Sequence, residues 1–235
     1  LLRFLDDNSI PHIIFINKMD TQAASVRETV AALQDISQRP LIMRELPIRE
    51  GEDVTGLVDM ISQRAYKWAD GGQSSEIDIP ESVNEWLLEA RTQLLEALSD
   101  YDDTLLEALL EEQEVPVAEI YKYAAMALSE ANVVPVLFGA AEHDNGITRL
   151  LKILRHEVPE SGKVAERLGM DSISEGAAVV FKTLHAAHTG KLSMARVLGG
   201  DIAEGTTLND ERPSGVFKLL GHKQEKIAKG VPGDV

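Results

Sequence analysis

The sequence contains no cysteine, which excludes a disulfide scaffold, a thiolate zinc site and a cysteine nucleophile, and suits a reducing cytosol. No apolar run reaches the length of a bilayer span. Leu1-Leu2-Arg3-Phe4-Leu5 has neither the basic flank nor the small-residue cleavage site of a signal peptide. The chain therefore reads as the interior of a longer cytoplasmic gene product with no membrane partner. Positive charge is scarce: 23 Lys and Arg stand against 39 Asp and Glu, a formal net charge of -16. Wrapping of nucleic acid by the whole surface is thereby disfavoured, and only a local basic patch remains open. There is no repeat of fixed period and no low-complexity tract, so solenoids and propellers gain no support. What is present is 235 residues, 44% hydrophobic and 26% charged, enough for one to two packed domains.

The charge is unevenly spread. Between Gly71 and Glu130 there are 15 acidic residues against Arg91 and Lys122, so most of the negative charge sits in one stretch. From Gly176 to Val235 the balance is 8 basic to 6 acidic, and the texture changes to short β-rich runs separated by glycine. Pro159-Glu160-Ser161-Gly162 marks a linker, over 159–175, between a first domain at 1–158 and a second at 176–235.

Two strand-loop-helix units frame the first domain. His12-Ile13-Ile14-Phe15-Ile16 is a buried-strand run that leads into Asn17-Lys18-Met19-Asp20. A helix over about Ser25 to Ser37 then carries Val26, Val30, Leu33 and Ile36 on one face. Val133 to Phe138 is a second such run, followed by Gly139-Ala140-Ala141 and a helix with Ile147, Leu150, Leu151 and Leu154. The two units should neighbour each other in one sheet. Between them an acidic insertion, about 40–130, carries amphipathic helices. Val83, Trp86, Leu87, Ala90, Leu94 and Leu98 recur at helical steps, as do Val117, Ile120, Tyr121, Ala124 and Leu128 after Pro116. Strands are expected near Leu41 to Pro47 and Arg64 to Trp68. The acidic side chains read either as a solvated face or as a docking surface for a basic partner.

Asn17-Lys18-Met19-Asp20 stands at the carboxyl end of a buried strand, where open α/β sheets bind ligands. Its residue types suit guanine. Asp20 can accept two hydrogen bonds from the N1 and N2 donors of that base, which adenine lacks. Lys18 can lay its stem along the base plane, and Asn17 can bridge the base edge and the neighbouring loop. Gly139, Ala140 and Ala141 are small enough for backbone N–H groups to approach the base oxygen.

With these motifs the chain resembles elongation factor G, a translational GTPase, over essentially its whole length. Asn17-Lys18-Met19-Asp20 matches the family's guanine-specificity motif, and Phe138-Gly139-Ala140-Ala141 sits where the family usually has Gly-Ser-Ala, so Ala140 replaces serine. Leu46-Pro47-Ile48, Gly56-Leu57-Val58-Asp59 and Tyr66-Lys67-Trp68 resemble the insertion in that family's nucleotide domain. Phe181-Lys182-Thr183, Gly190-Lys191-Leu192-Ser193 with Arg196-Val197, and Gly233-Asp234 resemble its β-barrel second domain. The resemblance implies an α/β fold: part of a P-loop-type GTPase sheet with an α+β insertion, then an incomplete β-barrel. It implies GTP or GDP as ligand, Mg2+ in the parent protein, and GTP hydrolysis on the ribosome that drives translocation. Ribosomal RNA, met by some of Lys182, Lys191 and Arg196, and the large-subunit stalk protein, met by the acidic helices, are the implied partners.

No Gly-x-x-x-x-Gly-Lys-[Ser/Thr] phosphate loop is present, and Thr189-Gly190-Lys191 and Ser161-Gly162-Lys163 are lookalikes. Asp53-Val54-Thr55-Gly56 has the letters of a switch motif but follows the guanine motif, so it belongs to the insertion. The expectation is that no catalytic residue and no Mg2+ ligand lies in this chain, and that it does not hydrolyse GTP by itself. A non-catalytic ribosome-binding paralogue and a release or ribosome-protection GTPase are the alternatives. His185 and His188 lack a third ligand for a metal.

Overall fold

The run Val134–Phe138 carries apolar side chains throughout, and all five residues are buried, as a strand covered on both faces requires. The computed structural model describes all residues except 22–24, 70–73, 171–174, 187–189 and 222. They form two compact units, Leu1–Val158 and Pro159–Val235.

In the first unit the elements are α1 (Leu2–Asp7), β1 (Ile14–Ile16), α2 (Val26–Gln34), β2 (Leu41–Met43), β3 (Glu45–Glu50), β4 (Asp53–Asp59), β5 (Arg64–Lys67) and β6 (Ser75–Ile77). They continue with α3 (Glu81–Ser99), α4 (Asp103–Leu110), α5 (Val117–Ser129), β7 (Val134–Phe138) and α6 (Ile147–His156). Strands β1, β7 and β2 make a parallel sheet with β7 in the middle. Because β2 pairs with β7 through Leu41↔Val134, the insertion's own sheet begins only at Glu45, not at about residue 40.

Strands β3-β4-β5-β6 form a separate antiparallel sheet. Adjacent residues of β4 face opposite cores, and the bulge at Thr55, where the pairing steps from Ile48↔Gly56 to Arg49↔Val54, puts Val54 on the same side as Leu57. Val54 and Leu57 join Ile16, Met19, Val26, Val136 and Phe138 on the parallel-sheet side. Val58 joins Leu46, Ile61 and Ala65 against the helix residues Val83, Leu94, Leu98, Leu105 and Ile120. Trp68 packs on Phe138 with ring centroids 6.1 Å apart. Gly56 is required where β4 meets β5, since a Cβ there would stand 2.3 Å from the Tyr66 carbonyl oxygen. That close approach explains the Gly of the switch-like Asp53-Val54-Thr55-Gly56.

Most of the helical stripes of the insertion bury, with Val83, Leu87, Ala90, Leu94, Leu98, Ile120, Ala124 and Leu128 in the core and Trp86 and Tyr121 half-buried, but Val117, at the start of α5, is 42% exposed. Helix α4 has its own start signal, the Asp102 carboxylate accepting from the Leu105 N–H at 3.0 Å. Two further sequence expectations fail. Ile36 lies beyond the end of α2 and is 47% exposed. In α6, Leu151 and Leu154 are exposed at 58% and 46%, while Ile153 is buried.

A buried ionic cluster ties the insertion to the parallel sheet. Both terminal nitrogens of Arg44 reach the Glu157 carboxylate, at 2.5 and 3.1 Å, with Arg44 lying 5.9 Å from the Tyr121 ring centroid. Arg149 pairs closely with Asp59, whose Oδ1 also accepts from the Ile61 and Ser62 N–H groups at 3.0 and 2.7 Å. Glu45 sits 3.6 Å from the Arg149 Nε and is 1% exposed. Burial pushes its carboxyl up to about 7, against the pull of Arg149 and Arg44.

In the second unit, residues 159–175, expected as a linker, begin with helix α7 (Ser161–Arg167), whose Ala165 is buried. Gly162 falls in the first turn, where its poor helix propensity costs least. Strands β8 (Ala177–Ala186) and β9 (Gly190–Gly199) form a bulged hairpin, β10 (Ile202–Ala203) pairs with β13 (Lys229–Gly230), and β11 (Val216–Leu220) pairs with β12 (Lys223–Ile227). Among the described residues the pairings do not close a barrel. The two quoted fragments Arg196-Val197 and Gly233-Asp234 meet: Gly233 N–H donates to the Val197 carbonyl at 2.9 Å, and Arg196 donates to the Gly233 carbonyl at 2.9 Å. Arg196 is thus committed to holding the Gly233 segment, whereas Lys182 and Lys191 are exposed. His185 lies in β8, and its expected neighbour His188 falls outside the described residues.

Candidate functional site

Strands β1 and β7 end in register, Ile16 opposite Phe138, so the loops beginning at Asn17 and Gly139 leave the sheet side by side. Backbone hydrogen bonds stitch them together: Gly139 N–H donates to the Ile16 carbonyl at 2.9 Å, and Met19 N–H donates to the Gly139 carbonyl at 3.0 Å. Met19 is 3% exposed and roots the first loop in the core, which leaves Asn17, Lys18 and Asp20 on the surface around it. Lys18 adopts a left-handed φ of 63°, a conformation that costs a non-glycine residue free energy. The turn is closed by Thr21, whose N–H and Oγ1 both donate to the Lys18 carbonyl at 3.1 Å.

The second loop is built on close approach. A Cβ at Gly139 would stand 2.3 Å from the Asn145 carbonyl oxygen and 2.7 Å from the Phe15 ring. Ala140 is 1% exposed and exchanges two backbone hydrogen bonds with Asn145, at 3.0 and 3.1 Å. Gly146 has φ 79°, and a Cβ there would meet the Phe138 carbonyl at 2.5 Å. Sequence reasoning missed Asn145-Gly146 as the clasp of this loop, although Asn-Gly is a strong turn signal.

The side chains meet across the two loops. Asn17 Oδ1 accepts from the Ala141 N–H at 3.0 Å, which turns the amide nitrogen outward as a donor. The loop's backbone donors are paired inside the protein: Gly139 to Ile16, Ala140 to Asn145, Ala141 to Asn17. A base oxygen approaching Ala141 must share that donor with Asn17. Asp20 is exposed, and its Oδ2 lies 3.5 Å from His143 Nε2, a contact no sequence pattern announces. The surface so assembled offers an outward carboxylate, an outward amide and a flexible ammonium stem. That donor and acceptor set fits the edge of guanine.

Among the described residues there is no group of three or more His, Asp or Glu that could hold a metal ion, so no Mg2+ ligand set is assigned here. No described helix is long and apolar enough to cross a membrane.

The comparisons with known proteins agree with this geometry. The family description of the elongation factor Tu GTP binding domain matches residues 1–160. The chain is 38% identical over 237 residues to the elongation factor G-like protein of Synechocystis sp., covering 100% of this chain and 35% of that protein. It therefore spans about a third of the length of that curated relative. A crystal structure from Thermus thermophilus has the same fold with a TM-score of 0.80 at 23% identity, over 97% of this chain and 34% of that one. With its two strand-end loops in register and the family match running through both, this chain belongs to the elongation factor Tu GTP-binding domain family, in its elongation factor G-like form.

Proposed function

We propose that Asn17, Lys18 and Asp20, with Ala141 of the loop that Gly139 and Ala140 shape from beneath, bind the guanine ring of GTP or GDP. In the full-length protein, GTP hydrolysis on the ribosome then drives a change of shape that moves tRNA and messenger. The observation that carries this reading is the joining of the two loops by Asn17 and the Ala141 N–H, with Asp20 presented outward beside them. Asp20 accepts from guanine N1 and N2, Asn17 donates to the base edge, and Lys18 covers its face. Bound Mg2+ would supply charge neutralisation at the phosphates, held by segments outside this chain.

Exposed Glu85, Glu89 and Glu96 on α3 support the large-subunit stalk protein as a partner, and exposed Lys182 and Lys191 support contact with ribosomal RNA. A cytoplasmic location follows from that role. A non-catalytic ribosome-binding paralogue is the second reading, favoured by Ala140 alone.

The test is Asp20→Asn in the full-length protein. An amide presents a donor to the C2 carbonyl of xanthine, so GDP binding should weaken by about 100-fold or more and xanthosine diphosphate should replace it as the preferred ligand. An unchanged preference for GDP would overturn the assignment. The chain Leu1–Val235 alone should bind little or no GDP, because base contacts omit the phosphate interactions. A micromolar dissociation constant by calorimetry would contradict that.

A further inference from the structure

A carboxylate discriminates between bases only when it is held in the orientation that meets both donors. Asp20 sits on the surface end of a loop, and Ala140 in the adjoining loop has a buried methyl group and no hydroxyl. Among the described residues, His143 is the side chain within ion-pair reach of Asp20, with Nε2 3.5 Å from Oδ2. Its own placement is fixed. His143 ends the single 3-10 turn Ala141–His143, its N–H donates to the Ala140 carbonyl at 3.0 Å, and Asp144 with φ 59° turns the chain back to the Asn145 clasp. The imidazole is therefore carried by the same loop that Asn17 grips. A carboxylate has about four lone-pair sites, so one donor from His143 leaves room for two from guanine.

We propose that His143 is a positioning residue of this site: its imidazole N–H holds the Asp20 carboxylate in the orientation that accepts both guanine donors. The inference rests on the reading of Asp20 as the base acceptor. His143 touches neither base nor phosphate in this account; it acts through Asp20.

The test compares GDP with inosine diphosphate, which lacks the 2-amino group, by calorimetry on the full-length protein carrying His143→Ala or His143→Gln. Loss of the imidazole should weaken GDP by about two- to fivefold, the worth of one ion-pair contact between partly exposed groups. Inosine diphosphate should change less, so the ratio of the two affinities falls. Gln keeps an N–H donor and should restore the ratio. An unchanged ratio in His143→Ala, an equal loss for both nucleotides, or an equal fall in the Ala and Gln variants would each overturn the proposal. Asp20→Asn separates the two readings. If it leaves the base preference unaltered, the base site and this inference fall together. If it shifts the preference while His143→Ala does not, only the role of His143 is lost.

Discussion

Glu45→Gln should remove a pH dependence from the stability of the protein, and the size of the effect follows from the buried cluster. Arg44 is matched by Glu157 and Arg149 by Asp59, so two cations already face two anions. A third ionised carboxylate would leave one negative charge in excess inside the protein. Burial accordingly raises the Glu45 carboxyl from its ordinary 4.5 to about 7. An acid whose folded pKa is raised keeps its proton more tightly in the native state than in the unfolded chain. Its stabilising contribution is complete below pH 4.5 and is lost as pH rises through about 7. At about 1.4 kcal/mol per pH unit, that gap makes the wild-type protein about 3 kcal/mol less stable at pH 8 than at pH 4 through this residue alone. The amide introduced by Glu45→Gln cannot ionise, so the variant should match the wild type near pH 4 and exceed it increasingly toward pH 8. Urea unfolding followed by tryptophan fluorescence suits the experiment, because Trp68 and Trp86 both pack against the cores of the first unit. Taking the difference between the two proteins at each pH cancels every other titrating group. A variant that loses more stability at pH 8 than at pH 4 would show that Glu45 is ionised and serves Arg149 as a counter-ion, and the charge-balance reasoning would be refuted.

Two further substitutions test local geometry. Gly139→Ala places a methyl carbon against the Asn145 carbonyl and the Phe15 ring, and should cost about 2–3 kcal/mol in unfolding free energy and abolish nucleotide binding in the full-length protein; a wild-type melting curve would show that the clasp yields freely. Asp102→Ala removes the side-chain cap of α4 and should cost about 1 kcal/mol by urea unfolding, with Asn at the same position recovering most of it.

The parallel-sheet unit was legible in the sequence because its central strand is covered on both faces and β1 beside it is half-buried or buried throughout, so Val134 to Phe138 and Ile14 to Ile16 appear as unbroken apolar runs ending in polar loops. The stripe of α3 was equally visible. Helix α6 misled the reading for a physical reason. Its inward line is Arg149, Ile153 and, just past the helix, Glu157, two charged residues around one apolar one, held by partners far back in the chain: Glu45 and Asp59 for Arg149, Arg44 for Glu157. A hydrophobic periodicity selects the wrong side of such a helix and points to Leu151 and Leu154. Residue 36 misled likewise, because α2 is closed by Gln34, which accepts from the Leu41 N–H at 2.8 Å and donates to the Arg39 carbonyl at 3.0 Å. At the site, the loops and their residue types could be read from the letters, but His143 could not. Its proximity to Asp20 depends on a 3-10 turn that no residue pattern there encodes.

Strand β4 is a wall shared by two rooms. Leu57 and Val58 are neighbours in sequence, yet one closes the core under the loops that begin at Asn17 and Gly139 and the other closes the core of the acidic helices. The insertion is therefore not an appendage that could be cut away at its ends. Excising residues 45–130 would strip Val54, Leu57 and Trp68 from Phe138, take Glu45 and Asp59 from Arg149, and take the Tyr121 ring from Arg44. Removing the insertion would therefore uncover the strands from which the Asn17 and Gly139 loops spring, and a chain without it would need other side chains over Ile16 and Phe138.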